Sequence, residues 1–269
     1  MRAALSRLVI QSGTLLRTIA RFPGVHYCAK KVGAYILPAG FREWFQVRDG
    51  VGKGIWLKLN PRSGDPYFRG TAETGIQNLL RDYLKPGMVF YDLGSNNGFF
   101  SLLAARLVGP AGKVIAFEAE PRLGSELLEN IERNDAFNVR IVQFAVWSQS
   151  GFVDFHSADQ CISPDLGLGR VVLQPTAKTV SIPSICLDDF VQTERPPNFI
   201  KCDVEGAEVE VFRGARKVLT KYKPCFECEI HSGENGKLLG AELRDMQYDV
   251  RWYSASHFFA VPTNPRIWH

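Results

Sequence analysis

The sequence predicts an α/β protein with a Rossmann-like sheet of seven mostly parallel strands, closed by an antiparallel hairpin at the C-terminus. Apolar runs alternate with stretches of helical periodicity from residue 88 onward, which is the pattern of successive βα units. A glycine-containing turn joins the first of these runs to the first helix. The last two runs, 248–253 and 257–261, are separated by only three residues. Parallel strands need a long crossover, so this last pair must be antiparallel.

The N-terminal segment differs in charge from the rest of the chain. Residues 1–42 contain seven basic residues and no Asp or Glu, whereas the whole chain has a net charge of +4. This small net charge does not favour nucleic acid as a partner. Residues 1–22 place apolar side chains at helical spacing among arginines, and three interpretations stay open. They are a helix packed on the rest of the protein, a basic amphipathic helix at an anionic membrane surface, and an organelle targeting segment. We assign 1–45 to an N-terminal helical arm.

A hairpin and a helix are predicted between this arm and the sheet. Two runs with strand character flank the turn signal Asp49-Gly50. Residues 71–84 then place apolar side chains on one side of a helix, and Lys85-Pro-Gly87 ends that helix. We assign 46–87 to a hairpin and helix cap, and 88–269 to the main domain.

The main domain alternates strands and helices. Strands are predicted at 88–93, 113–118, 138–146, 198–203 and 224–230, with helices at 97–108, at 121–133, from 205 to beyond 214, and at about 236–246. An interruption contains two further strands, 151–156 and 179–183, around a loop at 157–178, and a short helix at 187–191 follows. A loop of that length in a compact domain is usually functional or disordered. We therefore expect the insert, about 151–183, to form a lid.

The turn after the first core strand indicates the ligand class. In Val89-Phe-Tyr-Asp-Leu-Gly-Ser-Asn-Asn-Gly98, Asn96 occupies the position where a dinucleotide fingerprint has its second glycine. Such a turn suits a nucleoside that carries no diphosphate. Glu118 ends the next strand, 24 residues after Gly94, where an acidic residue grips ribose hydroxyls in doubly wound folds. Together with Asp92 at the tip of the first strand, it forms the pairing expected for S-adenosylmethionine.

These motifs resemble those of the FkbM-type methyltransferases, which use S-adenosylmethionine and have a seven-stranded sheet. The resemblance covers about residues 70–262 and is carried by Tyr91-Asp-Leu-Gly-Ser-Asn-Asn-Gly98, Ala116-Phe-Glu-Ala-Glu-Pro121, Leu187-Asp-Asp-Phe190 and Ile200-Lys-Cys-Asp-Val-Glu-Gly-Ala-Glu208. It implies a cofactor site formed by Glu73, Asp92, Gly94, Asn96, Gly98, Glu118 and Ala145. In that site Glu118 would hold the ribose hydroxyls, and Ala145 would lie near the adenine.

Ionisable side chains follow the fourth and fifth core strands, where ligands of open α/β sheets lie. Asp203 and Glu205 follow the fourth strand, and Glu229 and His231 follow the fifth. We take Asp203, His231 and Glu205 as catalytic candidates, with His231 as a proton acceptor near neutral pH. Each has a structural alternative, since the acids could stabilise the start of the next helix and the histidine could be a surface residue. We assign no metal, because Asp203 and Glu229 would supply only two ligands.

The resemblance implies methyl transfer, and the segment after the fourth strand indicates which kind of atom accepts the methyl group. Enzymes that methylate exocyclic or amide nitrogens commonly carry Asn/Asp-Pro-Pro-aromatic there, whereas this chain has Asp203-Val-Glu-Gly206. We therefore expect O-methylation of a hydroxyl on a small-molecule or glycan acceptor, such as a sugar, a glycan or a natural product, by a cytoplasmic enzyme. A peripheral membrane contact through residues 1–22 stays open. Two alternatives stay open: a nicotinamide-dependent oxidoreductase, and a non-catalytic, membrane-docked module that binds S-adenosylmethionine. The sequence does not indicate an oligomeric state.

Overall fold

The computed structural model of the chain describes residues 41–60, 65–157, 169–172 and 179–264. The predicted helical arm at 1–45 therefore lies almost entirely outside the described residues, and the basic segment at 1–22 lies wholly outside them. Much of the predicted loop at 157–178 also falls outside.

The described strands and helices follow the βα order that the periodicity predicts. The strands are β1 (Glu43–Gln46), β2 (Trp56–Leu59), β3 (Val89–Leu93), β4 (Lys113–Phe117), β5 (Val139–Val142), β6 (Ala145–Val146), β7 (Gly151–His156), β8 (Arg170–Val171), β9 (Thr179–Ile185), β10 (Phe199–Cys202), β11 (Cys225–Glu229), β12 (Tyr248–Trp252) and β13 (His257–Pro262). The helices are α1 (Asp65–Arg69), α2 (Thr74–Tyr83), α3 (Phe99–Val108), α4 (Pro121–Arg133), α5 (Leu187–Phe190), α6 (Glu208–Gly214), α7 (Arg216–Lys221) and α8 (Gly233–Asp245).

Seven strands form the central sheet in the order β12-β13-β11-β10-β3-β4-β5. The strands from β11 to β5 pair in parallel, whereas β13 is antiparallel to both of its neighbours. The predicted fold class, including the antiparallel C-terminal hairpin, is confirmed.

Strand β3 lies in the interior of the sheet, between β10 and β4, and is buried along its whole length. This is expected of a parallel strand that is covered on both faces. Successive side chains point to opposite faces, so Tyr91 packs with Ile200 and Phe226 on one side. On the other side Phe90 packs with Phe199, beneath helices α2 and α3. The two faces therefore carry two separate hydrophobic cores.

A second sheet, in the order β6-β9-β7-β8, contains the described part of the insert. The prediction of one strand at 138–146 is wrong, because the chain leaves the central sheet after Val142 and pairs Ala145–Val146 with β9 instead. A run of residues with strand character does not by itself reveal such a change of partner. The strands on either side of the predicted loop are found, but within the loop region Arg170–Val171 pair with β7.

Several predicted helix boundaries are wrong, and backbone conformation explains most of the errors. The helix predicted at 71–84 starts only at Thr74, because Glu73 before it has a left-handed φ of 40°, and the short helix α1 lies before the predicted bounds. The helix predicted from 205 starts at Glu208, because Glu205 and Gly206 have φ values of 50° and 97°. It is also interrupted at Ala215. Helix α3 starts at Phe99 rather than 97, and α8 spans Gly233–Asp245 rather than 236–246.

Candidate active site

A cleft opens at the carboxyl ends of β3, β4 and β10, with a volume of about 650 Å³ including its mouth. This is the edge where ligands of open α/β sheets bind. Its walls combine the turn after β3, the end of β4, the start of β6, the loop after β10 and residues 169–171 of the insert. Of the residues predicted from the sequence, the cleft is lined by Gly94, Asn96, Glu118, Ala145, Asp203 and Glu205.

The turn after β3 is held by close backbone contacts. The backbone N–H groups of Gly94 and Ser95 donate to the Phe117 carbonyl oxygen at 3.0 and 2.9 Å. Gly94 has a φ of +79°, and a Cβ at this position would lie 1.8 Å from the carbonyl oxygen of Asp203. Only glycine therefore allows the ends of β3 and β10 to meet. Asn96 follows in a left-handed conformation with φ 49°.

Glu118 projects from the end of β4 and is only 6% exposed. Its two carboxylate oxygens accept the backbone N–H groups of Asn96 at 2.7 Å and Glu120 at 2.8 Å. Burial raises the pKa of Glu118 to about 7, although both N–H groups favour the ionised form. A fixed, desolvated carboxylate on a cleft wall can accept hydrogen bonds from two hydroxyl groups. This position therefore fits the ribose of S-adenosylmethionine.

The far end of the cleft is apolar. Phe144, Ala145 and Val146 line it together with Leu123 and Phe155. An apolar wall beside a ribose-binding acid fits an adenine ring. The prediction for Ala145 agrees with its place on this wall, and its role in binding stays a prediction.

Residues of the insert also border the cleft, which the sequence did not indicate individually. Gly169, Arg170 and Val171 line it, and Val171 is held there by pairing with Phe155 of β7. No local motif marks these positions, since only the pairing of distant strands brings them to the cofactor pocket.

Three of the predicted cofactor residues do not line the cleft: Glu73, and Asp92 and Gly98, which lie behind the turn. Asp92 is fully buried and accepts a hydrogen bond from the Ser101 hydroxyl at 2.6 Å. Gly98 precedes α3, and a Cβ there would lie 2.3 Å from the Leu127 side chain. Both residues shape the turn from beneath, so their predicted cofactor contacts would have to be indirect in this conformation.

A row of three buried charges crosses the sheet below the cleft, and sequence reasoning missed its centre. Lys201 on β10 is in register with Asp92 on β3 and with Glu227 on β11. Residues in register share a face of the sheet, and none of these three is more than 2% exposed. A lysine within an apolar strand, two residues before an acid, is the sequence signal that could have revealed this row.

Glu73 lies at the start of α2, near this row. Solvent can reach the residue, but protein atoms surround its carboxyl group. This desolvation raises the pKa of Glu73 to about 7; Lys201 opposes the shift, and the charge of Asp203 adds to it. Strongly perturbed acids cluster at functional sites, which agrees with the predicted role of Glu73 in cofactor binding without testing it.

Asp203, Glu205 and His231 come together at the ends of β10 and β11. Their nearest ligand atoms lie within 4.8 Å of one another, a spacing that can hold a metal ion. However, His231 Nε2 is 3.3 Å from a Glu205 oxygen, and Nδ1 is 2.7 Å from a buried Glu208 oxygen. The absence of a metal, which the sequence predicts, stays a prediction.

The two contacts of His231 determine its charge. Hydrogen bonds to Glu205 and then Glu208 raise the pKa of His231 to about 10, against a smaller opposing effect of burial. The imidazole is therefore protonated at neutral pH with both nitrogens engaged. This arrangement disfavours His231 as the proton acceptor that the sequence suggests and leaves the Asp203 and Glu205 carboxylates as candidates.

Fold and cleft together define a methyltransferase of the class that binds S-adenosylmethionine at the carboxyl edge of a seven-stranded sheet. The family model of the methyltransferase FkbM domain matches residues 92–251, more than half of the chain. The chain belongs to this family, and its cofactor is S-adenosylmethionine. Membership in this family does not support the alternative of a nicotinamide oxidoreductase.

Relatives include sugar-modifying enzymes at low identity. The chain is 27% identical over 212 residues to hexuronic acid methyltransferase AglP of Haloferax volcanii, covering 74% of this chain and 84% of that protein. It is 26% identical over 168 residues to 2-O-methyltransferase NoeI of Sinorhizobium fredii, covering 56% and 68%. Similarity to a protein-L-isoaspartate O-methyltransferase of Triticum aestivum is 37% over 126 residues, and the match spans about half of each protein, 47% in both cases.

Among solved structures, methyltransferase FkbM from Methylobacillus flagellatus superposes with a TM-score of 0.49 and 13% identity, covering 95% of this chain and 60% of that one. Within residues 41–264, apart from the undescribed gaps, no helix is long and apolar enough to span a membrane.

Proposed function

We propose that the protein transfers the methyl group of S-adenosylmethionine to a hydroxyl oxygen of a sugar, glycan or natural-product acceptor. The observation that carries this proposal is the position of Asp203, which lines the same cleft as Gly94, Asn96 and Glu118 and has a side chain that is 25% exposed. A carboxylate at this end of the cofactor cleft is placed to take the proton of a hydroxyl. The relatives named as a hexuronic acid methyltransferase and a 2-O-methyltransferase support a sugar acceptor.

S-adenosylmethionine, when bound, supplies a methyl group on a positively charged sulfur. The protein then needs to align donor and acceptor, exclude water and receive one proton. Glu118 and the turn at 94–96 fix the nucleoside, and the negative charge of Asp203 favours the cation at this end. Transfer of the methyl group would break its bond to sulfur, form its bond to the hydroxyl oxygen and leave S-adenosylhomocysteine, and Asp203 would accept the proton that the hydroxyl releases.

Glu205 and His231 take a supporting role in this proposal. The protonated imidazole of His231 bridges Glu205 and Glu208, and the Glu208 carboxylate also accepts the backbone N–H of Gly206 at 2.8 Å. These contacts hold the loop after β10 in its left-handed conformation, and so fix the backbone beside Asp203. Glu205 stays the second candidate for proton acceptor.

The insert at about 151–183 would close the cleft. Its first strand, β7, leads to Ser157, whose hydroxyl donates to a Glu120 oxygen at 2.6 Å and accepts from Arg122 at 2.8 Å. Glu120 and the insert residues 169–171 both line the cleft. These contacts of the described parts of the insert support the proposal that the insert covers the acceptor.

The test is transfer of an isotope-labelled methyl group to a panel of glycosides, uronates and phenols, read by product mass and by NMR of the methylated position. We expect O-methylation of at least one glycoside and a loss of about 10²-fold or more in kcat for Asp203→Asn, the scale of acid–base catalysis. Asp249→Asn, at an acid that pairs with Arg251 on an edge strand, is the control and should keep full activity.

Two results would overturn the proposal. A product methylated on nitrogen would refute the hydroxyl acceptor. Tight cofactor binding without turnover on any acceptor would favour the non-catalytic module that the sequence left open.

A further inference from the structure

The centre of the charge row, Lys201, has no role in the chemistry described so far. Its ammonium lies 3.4 Å from Asp203 Oδ2 and 3.8 Å from Asp92 Oδ1, and 5.2 Å above the Phe100 ring. The side chain is 2% exposed. An ammonium is rarely buried this deeply unless it is paired with carboxylates.

The carboxylates around Lys201 come from four different elements. Asp92 belongs to β3, Asp203 follows β10, Glu227 belongs to β11, and Glu73 begins α2. Burial alone would lower the pKa of Lys201, but Asp203 and then Asp92 outweigh burial and hold it well above its usual value. The ammonium is therefore a permanent cation shared among these acids.

Asp203 differs from the other acids because it reaches the cleft. Its side chain is 25% exposed, whereas that of Asp92 is 1% exposed. Its backbone is fixed, since the Asp203 N–H donates to the Leu93 carbonyl at 3.0 Å. Lys201 fixes the Asp203 side chain as well, because its ammonium donates a hydrogen bond to Asp203 Oδ2 from the buried side.

We propose that Lys201 is a positioning residue of the methyl-transfer site, whose buried ammonium holds the Asp203 carboxylate in place at the edge of the sheet. The proposal rests on the function proposed above, in which Asp203 accepts the hydroxyl proton. Lys201 itself touches neither acceptor nor cofactor in this role and acts only through Asp203.

A double-mutant cycle on kcat tests this dependence. We expect Lys201→Met to lower kcat by about 10²-fold, with an almost unchanged acceptor KM. In the Asp203→Asn background, Lys201→Met should lower kcat only slightly further, because the effects of residues that act through one another are not additive. Affinity for S-adenosylmethionine should persist, since removing a cation makes the site more favourable for a cationic cofactor. The matched control is Lys113→Met, at a strand lysine that pairs with Glu194 at the opposite edge of the sheet.

Breaking the charge row can also prevent folding, so a second variant is needed. Asp92→Asn combined with Lys201→Met removes one buried charge of each sign and should fold more readily, while still withdrawing the ammonium from Asp203. ¹³C NMR of the Asp203 carboxyl carbon, assigned with Asp203→Asn, reports its environment without turnover. We expect this resonance to move in the Lys201 variants and to stay in place in Lys113→Met.

The outcomes separate the two proposals. Full kcat in Asp203→Asn, or no turnover on any acceptor, refutes the proposed function, and the NMR measurement then still decides whether Lys201 sets the state of Asp203. Three results would each overturn the role of Lys201. The first is that the two losses of kcat multiply in the double variant, and the second is that the carboxyl resonance of Asp203 does not move. The third is an equal loss of affinity for the cofactor and for S-adenosylhomocysteine, its product without the sulfonium charge.

Discussion

The two ends of the proposed site are built in different ways. We call the part formed by residues 94–96 and Glu118 the cofactor end, and the part formed by Asp203, Glu205 and His231 the acceptor end. The cofactor end is fixed by backbone: the N–H groups of Gly94 and Ser95 bond to Phe117, and those of Asn96 and Glu120 bond to Glu118. The acceptor end is fixed by side-chain charges, namely Lys201 beneath Asp203 and His231 between Glu205 and Glu208. Backbone geometry tolerates few substitutions, whereas a set of paired charges can be rearranged. The acceptor end is therefore the part that can differ among enzymes sharing one cofactor.

The largest effect is expected where the two ends touch, at Gly94. Gly94→Ala should lower the free energy of unfolding by roughly 1–2 kcal/mol for the left-handed backbone and by about 1–3 kcal/mol more for the overlap with the Asp203 carbonyl. Cofactor affinity should fall by at least about tenfold, which is 1.4 kcal/mol. Chemical denaturation and calorimetric titration measure the two effects.

Gly87 offers a matched control for this prediction. It has a similar φ of +87°, but nothing lies within 4 Å of a Cβ built there. Gly87→Ala should therefore show only the backbone cost and keep full cofactor affinity. Equal losses of unfolding free energy and cofactor affinity in both variants would mean that the close contact between the ends of β3 and β10 does not matter. The distinction between the cofactor end and the acceptor end would then have no support.

At the cofactor end the sequence indicated part of the cleft wall, although Asp92 and Gly98, which were predicted with it, lie behind the turn. A short turn is a local feature, so the spacing of Gly94, Asn96 and Glu118 placed all three on the cleft wall without knowledge of the fold. The contacts at the acceptor end are not local. Lys201 meets Asp92 across more than a hundred positions of the chain, and the charge of His231 depends on Glu205 and Glu208.

The same difference explains the errors in the fold. Strands β5 and β6 were predicted as one strand, because periodicity does not show which partner a strand pairs with. The insert residues 169–171 reach the cleft only through the pairing of Val171 with Phe155. Secondary structure was therefore predictable wherever burial alone decided it, but not where a choice among distant partners did.

A smaller effect is expected from pH, through Glu118 at the cofactor end and Glu73 near the charge row. Glu73 and Glu118 both have a pKa raised to about 7, mainly by desolvation. Below pH 7 these acids are largely protonated and neutral, and above it they are ionised. Since S-adenosylmethionine is cationic at sulfur, we expect its affinity to increase from pH 6 to pH 8 and then to level off. Titration calorimetry across this range measures the effect.

Single variants assign this pH dependence to its sources. Glu73→Gln should remove part of the increase by eliminating one ionisation near the cofactor, and Glu118→Gln should remove part while also weakening binding at every pH. S-adenosylhomocysteine, which lacks the sulfonium charge, should show a weaker pH dependence in the unmodified protein. A flat profile for S-adenosylmethionine would show that neither acid changes its charge on binding.

The smallest effect on cofactor binding is expected at the acceptor end, from His231→Gln. The imidazolium pairs with partly exposed Glu205 and with buried Glu208, so the variant should lose about 1–3 kcal/mol of unfolding free energy, and cofactor affinity should not change. Because the pKa of His231 is raised from 6.5 to about 10, its contribution to stability is complete below pH 6.5 and is lost as pH rises toward 10. The difference in unfolding free energy between the parent and the variant should shrink over that range. If kcat in the variant instead loses a pH-dependent step near 6.5, His231 is the proton acceptor after all, and the acceptor end depends on a neutral imidazole rather than on charges held in pairs.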